Sequence, residues 1–150
     1  MSRRSRARAI ALQVLFQEDL TTAFNPAVGD GLVQRRLRAE DQREFARSLV
    51  AGVRQHRGAV DALIAQAAEN WSLTRMAATD RNVLRLGAYE LLYTDTPDRV
   101  AIDQAVELAK RFGTAQSGPF VNGILDRLMH EKGEGETGRQ GDKETRSNEG

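Results

Sequence analysis

The spacing of the apolar residues, more than their number, limits what this chain can become. Ala7, Ile10, Ala11, Val14 and Leu15 fall at i, i+3, i+4, i+7 and i+8, the repeat that gathers side chains on one face of a helix. It predicts a helix over residues 4–20. The same repeat returns along the chain. Phe45, Leu49, Val53 and His56 mark a helix over 39–56, and Val60, Leu63, Ile64, Ala67, Ala68 and Trp71 mark one over 59–70, with Gly58 between them. Leu84, Ala88, Leu91 and Leu92 line a helix over 79–94, and Ile102, Ala105, Val106, Ala109 and Phe112 line the next, with Gly113 at its C′ position. Val121, Ile124, Leu125 and Leu128 face inward from a last helix that Ser117 can cap and whose first turn tolerates Pro119. No stretch alternates with period two, so no strand is expected and the fold class is all-α.

The breaks set the organisation. Thr21, Thr22, Asn25 and Pro26, followed by Gly29 and Gly31, predict a loop across residues 21–38, and Thr96-Pro97-Asp98 is a stop signal. The polar connection at 71–78 suggests a seam between an N-terminal helical subdomain over 1–71 and a C-terminal one over 72–130, two small bundles packed together. Residues 131–150 hold five glycines, six acids and four bases with no aliphatic side chain. Such a segment buries too little apolar area to offset the entropy of ordering, and a disordered polar tail is expected.

Most chemistries have nothing to stand on. The chain has no cysteine, which excludes disulfides, thiolate zinc ligands and thiol nucleophiles. His56 lies on the apolar side of its helix and His130 near the end of the last one; neither has a placed partner or a second histidine at metal-ligand spacing, so structural roles are expected for both. Gly133-Glu-Gly135-Glu-Thr-Gly138 satisfies the dinucleotide-binding pattern but lacks a preceding strand, and its acids would repel a pyrophosphate. Asn70-Trp71-Ser72 is a formal glycosylation sequon without a secretory signal ahead of it. No apolar run approaches a membrane span. The reading is a non-enzyme with no metal and no cofactor, located by these absences in the cytoplasm.

Charge is informative locally. The net charge is only +1, yet Arg3, Arg4, Arg6 and Arg8 crowd the start of the first helix and no acid appears before Glu18. Cations at a helix N-terminus oppose the macrodipole, so stability alone would place Asp or Glu there. A segment unfavourable to its own helix is suited to meeting an external anion, and the phosphate backbone of RNA fits guanidinium forks. The alternative is a solubilising, frayed terminus. Phe16 lies off the centre of the apolar stripe and could stack on a base or pack in the core.

At this point the residues resemble a known family. Arg6-Ala-Arg8-Ala-Ile-Ala-Leu-Gln-Val-Leu-Phe16-Gln is similar to the opening helix of NusB proteins, as is Asp80-Arg-Asn-Val-Leu-Arg-Leu-Gly-Ala-Tyr89-Glu-Leu-Leu92 to a later one. The resemblance continues through Pro97, Val100-Ala-Ile102-Asp-Gln-Ala-Val-Glu-Leu-Ala-Lys-Arg-Phe-Gly113, Ser117 and Phe120-Val-Asn122-Gly-Ile-Leu125. It implies an all-helical protein of two subdomains that binds the boxA element of ribosomal-RNA leaders together with the ribosomal protein NusE, and through them acts on the RNA polymerase elongation complex. By position it implies RNA contacts for Arg4, Arg6 and Arg8 within the basic head, and for Phe16 and Phe120. It implies a NusE-facing role for Asp80. Two departures bear on RNA: Pro119 stands where relatives often carry lysine, and Gln116 where they often carry an acid. Asp103-Gln104 exchanges a familiar amide–acid order.

Other readings compete. A similar domain precedes the catalytic part of RNA-modifying methyltransferases, but these residues include no glycine-rich βαβ unit, and a free-standing protein is expected. A helical protein-interaction module with incidental RNA binding is compatible with the low net charge. A homodimer that buries the RNA surface is compatible as well.

Overall fold

The computed structural model describes residues 2–138 apart from Phe24 and Asn70, with side chains placed through residue 133. Among these residues there are six α-helices and no strand: α1 (Arg3–Leu20), α2 (Pro26–Arg36), α3 (Glu40–Ala67), α4 (Ala78–Tyr93), α5 (Asp98–Phe112) and α6 (Ser117–Gly138), with a 3₁₀ turn at Leu73–Arg75. Asn70 of the sequon and residues 139–150 of the expected tail lie outside the described residues.

α4 is the axis. Residues Asn82 through Ala88, with Glu90 and Leu91, are buried, because α1, α3, α5 and α6 all lie against it. Gly87 lets these helices approach: a Cβ there would stand 2.7 Å from Leu125 Cδ1 and 2.9 Å from the Ala105 Cβ, well inside normal contact. Gly52 of α3 serves the Tyr89 ring in the same way, since any side chain would occupy the ring's position. One buried apolar cluster runs from Ala7 of α1 to Leu128 of α6, so the core continues across the 71–78 connection.

Three segments differ from the sequence reading. Residues 26–36 form α2 rather than a loop. Asn25 caps it by accepting a hydrogen bond from the Ala27 N–H (3.0 Å), and Pro26 opens it. The glycine that argued for a loop is there for packing: a Cβ on Gly29 would lie 2.8 Å from Val14 Cγ1. Gly58 does not divide two helices. It sits inside the 28-residue α3 with open space around it, and the modest helix cost of glycine is outweighed by packing on both sides of it. Finally, α6 continues past residue 130 into the stretch expected to be disordered. Lys132 anchors it, donating from Nζ to Asp98 Oδ1 (2.8 Å) and to the Leu91 carbonyl (3.1 Å). Ser117 is the first residue of α6 and not its cap; its hydroxyl instead accepts from the Thr114 N–H at 2.9 Å.

A charged cluster ties the C-terminal half of α1 to α3 and α4. Asp19 accepts from Arg81 Nε (2.7 Å) and Asn82 Nδ2 (2.9 Å) and faces Arg85 Nη1 at 3.3 Å. Arg85 also forks onto Asp61 of α3 at 2.8 and 3.0 Å. Burial pushes the Asp19 carboxyl up, but the Arg81 and Asn82 hydrogen bonds and the charges of Arg85 and Arg81 outweigh it, holding the group below the ordinary carboxylate range. For Arg85, burial works against the charge, and Asp61 and Asp19 more than compensate. A carboxyl whose folded-state pKa is depressed stabilises the fold fully above its unfolded pKa, and that stabilisation is lost as pH falls through the folded value. Unfolding free energy, measured by urea titration, is expected to hold from neutral pH to about pH 4 and to decline below it. Asp19→Asn should cost about 3 kcal/mol at pH 7 and flatten the acid limb. An acid limb unchanged in Asp19→Asn would contradict this role.

Candidate nucleic-acid interface

The four N-terminal arginines share one helix turn or two, yet each meets a different environment. Ser2 caps α1 by accepting from the Ser5 N–H at 3.0 Å, and no acid stands in the first turn. Arg3 reaches Asp41 of α3 at 2.6 Å in an exposed pair, which contributes little to stability. Arg4 lies over the Phe45 ring, 4.4 Å from its centroid. Arg6 is exposed and touches the last carbonyl of α2, that of Arg36, at 3.5 Å.

Arg8 corrects the sequence reading. It is 4% exposed. Its Nε and Nη2 donate to the two carboxylate oxygens of Glu90 at 2.6 and 2.9 Å, and Glu90 itself is 2% exposed. Thr96 donates a further hydrogen bond to that carboxylate at 3.1 Å. The helical turn rotates position 8 inward onto α4, so its cation is neutralised inside the fold and is not offered to a ligand. Sequence spacing placed Arg8 with its neighbours; only the identity of Glu90 on the facing helix decides where it points.

From the head, α1 and α5 both pack on α4, and residues of the two helices border two depressions. One is lined by Ser5, Gln104, Glu107, Leu108 and Arg111. The other is lined by Leu12, Gln13, Phe16, Gln17, Thr79 and Phe112. Ser5 donates to Gln104 at 2.6 Å, closing the end near the head. Phe16 is half-buried and Phe112 exposed, with the Arg111 guanidinium 5.1 Å from the Phe112 ring centroid. An apolar floor with two aromatic rings, flanked by the amides of Gln13 and Gln17, can take a base by its face and its edge. Glu107 is the one acid lining the groove.

Phe120 lies elsewhere. It borders a shallow depression with Ala67, Ala68, Glu69, Trp71, Gly123 and Arg127, at the C-terminal end of α3. From Phe45, beside the head, to Ala67 is about 33 Å along that helix. The head and Phe120 thus share no cavity. Asp80 stands in the first turn of α4, where an acid suits the dipole. It is next to Thr79, which lines the Phe16 depression. Its Oδ1 is buried and has no hydrogen-bond partner among the described residues. In the sequence Phe45 and Phe112 read only as apolar positions of helical repeats, and Arg111 as an ordinary helix-surface charge; their place beside the head and the groove is revealed only by the packing. Among the described residues no cluster of histidine, aspartate or glutamate could hold a metal ion, and no helix is long and apolar enough to cross a membrane.

The sequence model of the NusB family matches residues 5–130. A transcription antitermination protein NusB from Symbiobacterium thermophilum is 49% identical over 139 residues, covering 86% of this chain and 90% of that protein. A solved NusB structure from T. maritima superposes with a TM-score of 0.75 at 39% identity, covering 87% of this chain and 92% of that one. A crystal structure of the antitermination factors NusB and NusE in complex with double-stranded RNA contains a chain that superposes with a TM-score of 0.77 at 29% identity, covering 87% of this chain and 98% of that one.

The burial of Arg8 and Glu90 makes a distinct demand on stability. Removing one partner leaves an uncompensated charge in the core, so Glu90→Ala should cost about 3–5 kcal/mol. Replacing both, as Arg8→Met with Glu90→Leu, should recover most of that loss in urea titrations. Equal stability of wild type and Glu90→Ala would show the pair to be without consequence.

Proposed function

The chain belongs to the NusB family, and on that premise we propose that it is a transcription antitermination factor that binds boxA RNA of ribosomal-RNA leaders together with the ribosomal protein NusE. Its action is to scaffold, not to catalyse. The observation that carries the reading is the exposed, acid-poor head of α1 opening onto the aromatic groove between α1 and α5. Arg3, Arg4 and Arg6 supply phosphate contacts. Phe16 supplies a stacking surface for an unpaired base, and the glutamine amides offer hydrogen bonds to base edges. Asp80 faces NusE from the rim of the same groove, so that RNA and protein partner meet along α1 and α4. Each ligand then raises the affinity for the other by the same factor. The elongating polymerase is reached through the assembled complex, and the site of action is the bacterial cytoplasm, where transcription runs.

Arg8 is left out of the contact set, because a variant there would report on folding. The test is Arg4→Ala with Arg6→Ala. At exposed positions each contact contributes about 1 kcal/mol, so affinity for boxA-like RNA, read by fluorescence anisotropy, should fall about 30-fold. The slope of log K against log salt should become shallower by about 1.4, at about 0.7 per contact to a single strand. NusE binding should be unchanged. RNA affinity equal to wild type would reject the head as the RNA surface.

A further inference from the structure

A second group of arginines lies against the head. Arg35 and Arg36 close α2 and Arg38 follows it; all three are exposed. The Arg6 guanidinium, in contact with the Arg36 carbonyl, joins the two groups into one surface. The simplest role for cations at a helix C-terminus is to satisfy its carbonyls and dipole, but other arginines already fill most of that role. Arg43 donates to the Leu37 carbonyl at 2.7 Å and to that of Gln34 at 3.2 Å, and Arg6 contacts that of Arg36 at 3.5 Å.

Nor do these arginines have acids to pair with. Asp30 is bound by Arg47 at 2.7 Å, Asp41 by Arg3 at 2.6 Å, and Glu40 by Arg43 and Arg47 at 3.5 Å each. No ion pair holds Arg4, Arg6, Arg35, Arg36 or Arg38 among the described residues. Along the start of α3, Glu44 alone is left to offset them. An uncompensated cationic surface continuous with a phosphate-binding one is an extension of it.

We propose that Arg35, Arg36 and Arg38 form a second phosphate-binding surface that grips the single-stranded RNA flanking the element held by the head and the α1–α5 groove. The inference rests on the reading of the head as the RNA surface. The contacts are to backbone and carry no base preference, so they lengthen the footprint without changing the sequence recognised.

The test compares the full chain with Arg35→Gln/Arg36→Gln/Arg38→Gln and with the corresponding triple lysine variant. The probes are a short boxA-like RNA and the same RNA extended with uridines at both ends, titrated across a salt series. Extension should tighten wild-type binding. The glutamine variant should lose that gain, with a salt slope on the long RNA shallower by about two, at about 0.7 for each of three contacts. The lysine variant should keep both gain and slope, and the short RNA should bind all three proteins alike. A wild type that gains nothing from extension, or a glutamine variant with the wild-type slope, overturns the proposal and leaves the head intact. A glutamine variant that binds both RNAs normally but loses NusE assigns the surface to the protein partner and overturns it as well. Failure of wild type to bind even the short RNA removes the head reading and this inference together.

Discussion

Two charged contacts hold α1 against α4, and the surface of the molecule follows from them. At one end Arg8 lies in a bidentate pair with Glu90. At the other, Asp19 sits among Arg81, Asn82 and Arg85. Apolar packing alone would tolerate a helix that slides or rolls by a fraction of a turn, whereas two directional contacts eleven residues apart, one buried and one half-buried, fix both rotation and register. With α1 so fixed, Arg6, Gln13 and Gln17 must face outward and Phe16 must stand beside α5. Buried ion pairs are weak evidence for stability when compared with apolar replacements. Here their consequence is orientation.

Much of this was legible in the sequence, because helical periodicity is a direct image of burial. The faces read from Ala7–Leu15, from Leu84–Leu91 and from Val121–Leu128 are buried in the fold. Glycine was the recurrent source of error. Gly29 and Gly58 each suggested a break, whereas one permits close contact with Val14 and the other is an exposed helical position with no contact at all. A glycine that relieves crowding and one that ends a helix look the same until the neighbour is known. The tail was misjudged at its start for a related reason: Lys132 reads as a solvated charge, but Asp98 and the Leu91 carbonyl await it across α4 and α5.

The site was legible in part. The electrostatic argument against four arginines at a helix N-terminus drew attention to the segment as a whole, but it could not sort exposed arginines from a buried one. Arg8 is drawn inward by Glu90, some eighty residues away in sequence. The arginines at the end of α2 and just after it were overlooked because the segment read as a loop, where charge is expected and needs no explanation. Once residues 26–36 are a helix at whose end Arg43 and Arg6 already meet the Gln34, Arg36 and Leu37 carbonyls, the remaining cations there require a reason. The family resemblance supplied Phe120 and Asp80; the structure puts Asp80 beside the Phe16 depression and Phe120 beside Trp71.

The central claim is that RNA lies along α1, from the arginine head to Phe16. Amide hydrogen exchange on the chain, free and bound to boxA-like RNA, tests this most directly, because it reports the footprint without altering a residue. Slowed exchange across the exposed face of α1 and the facing turns of α5, with the Tyr89–His56 side of α3 and α4 unchanged, is the predicted result. Slowed exchange confined to the Trp71 and Phe120 end, with α1 exchanging as in the free protein, would contradict it.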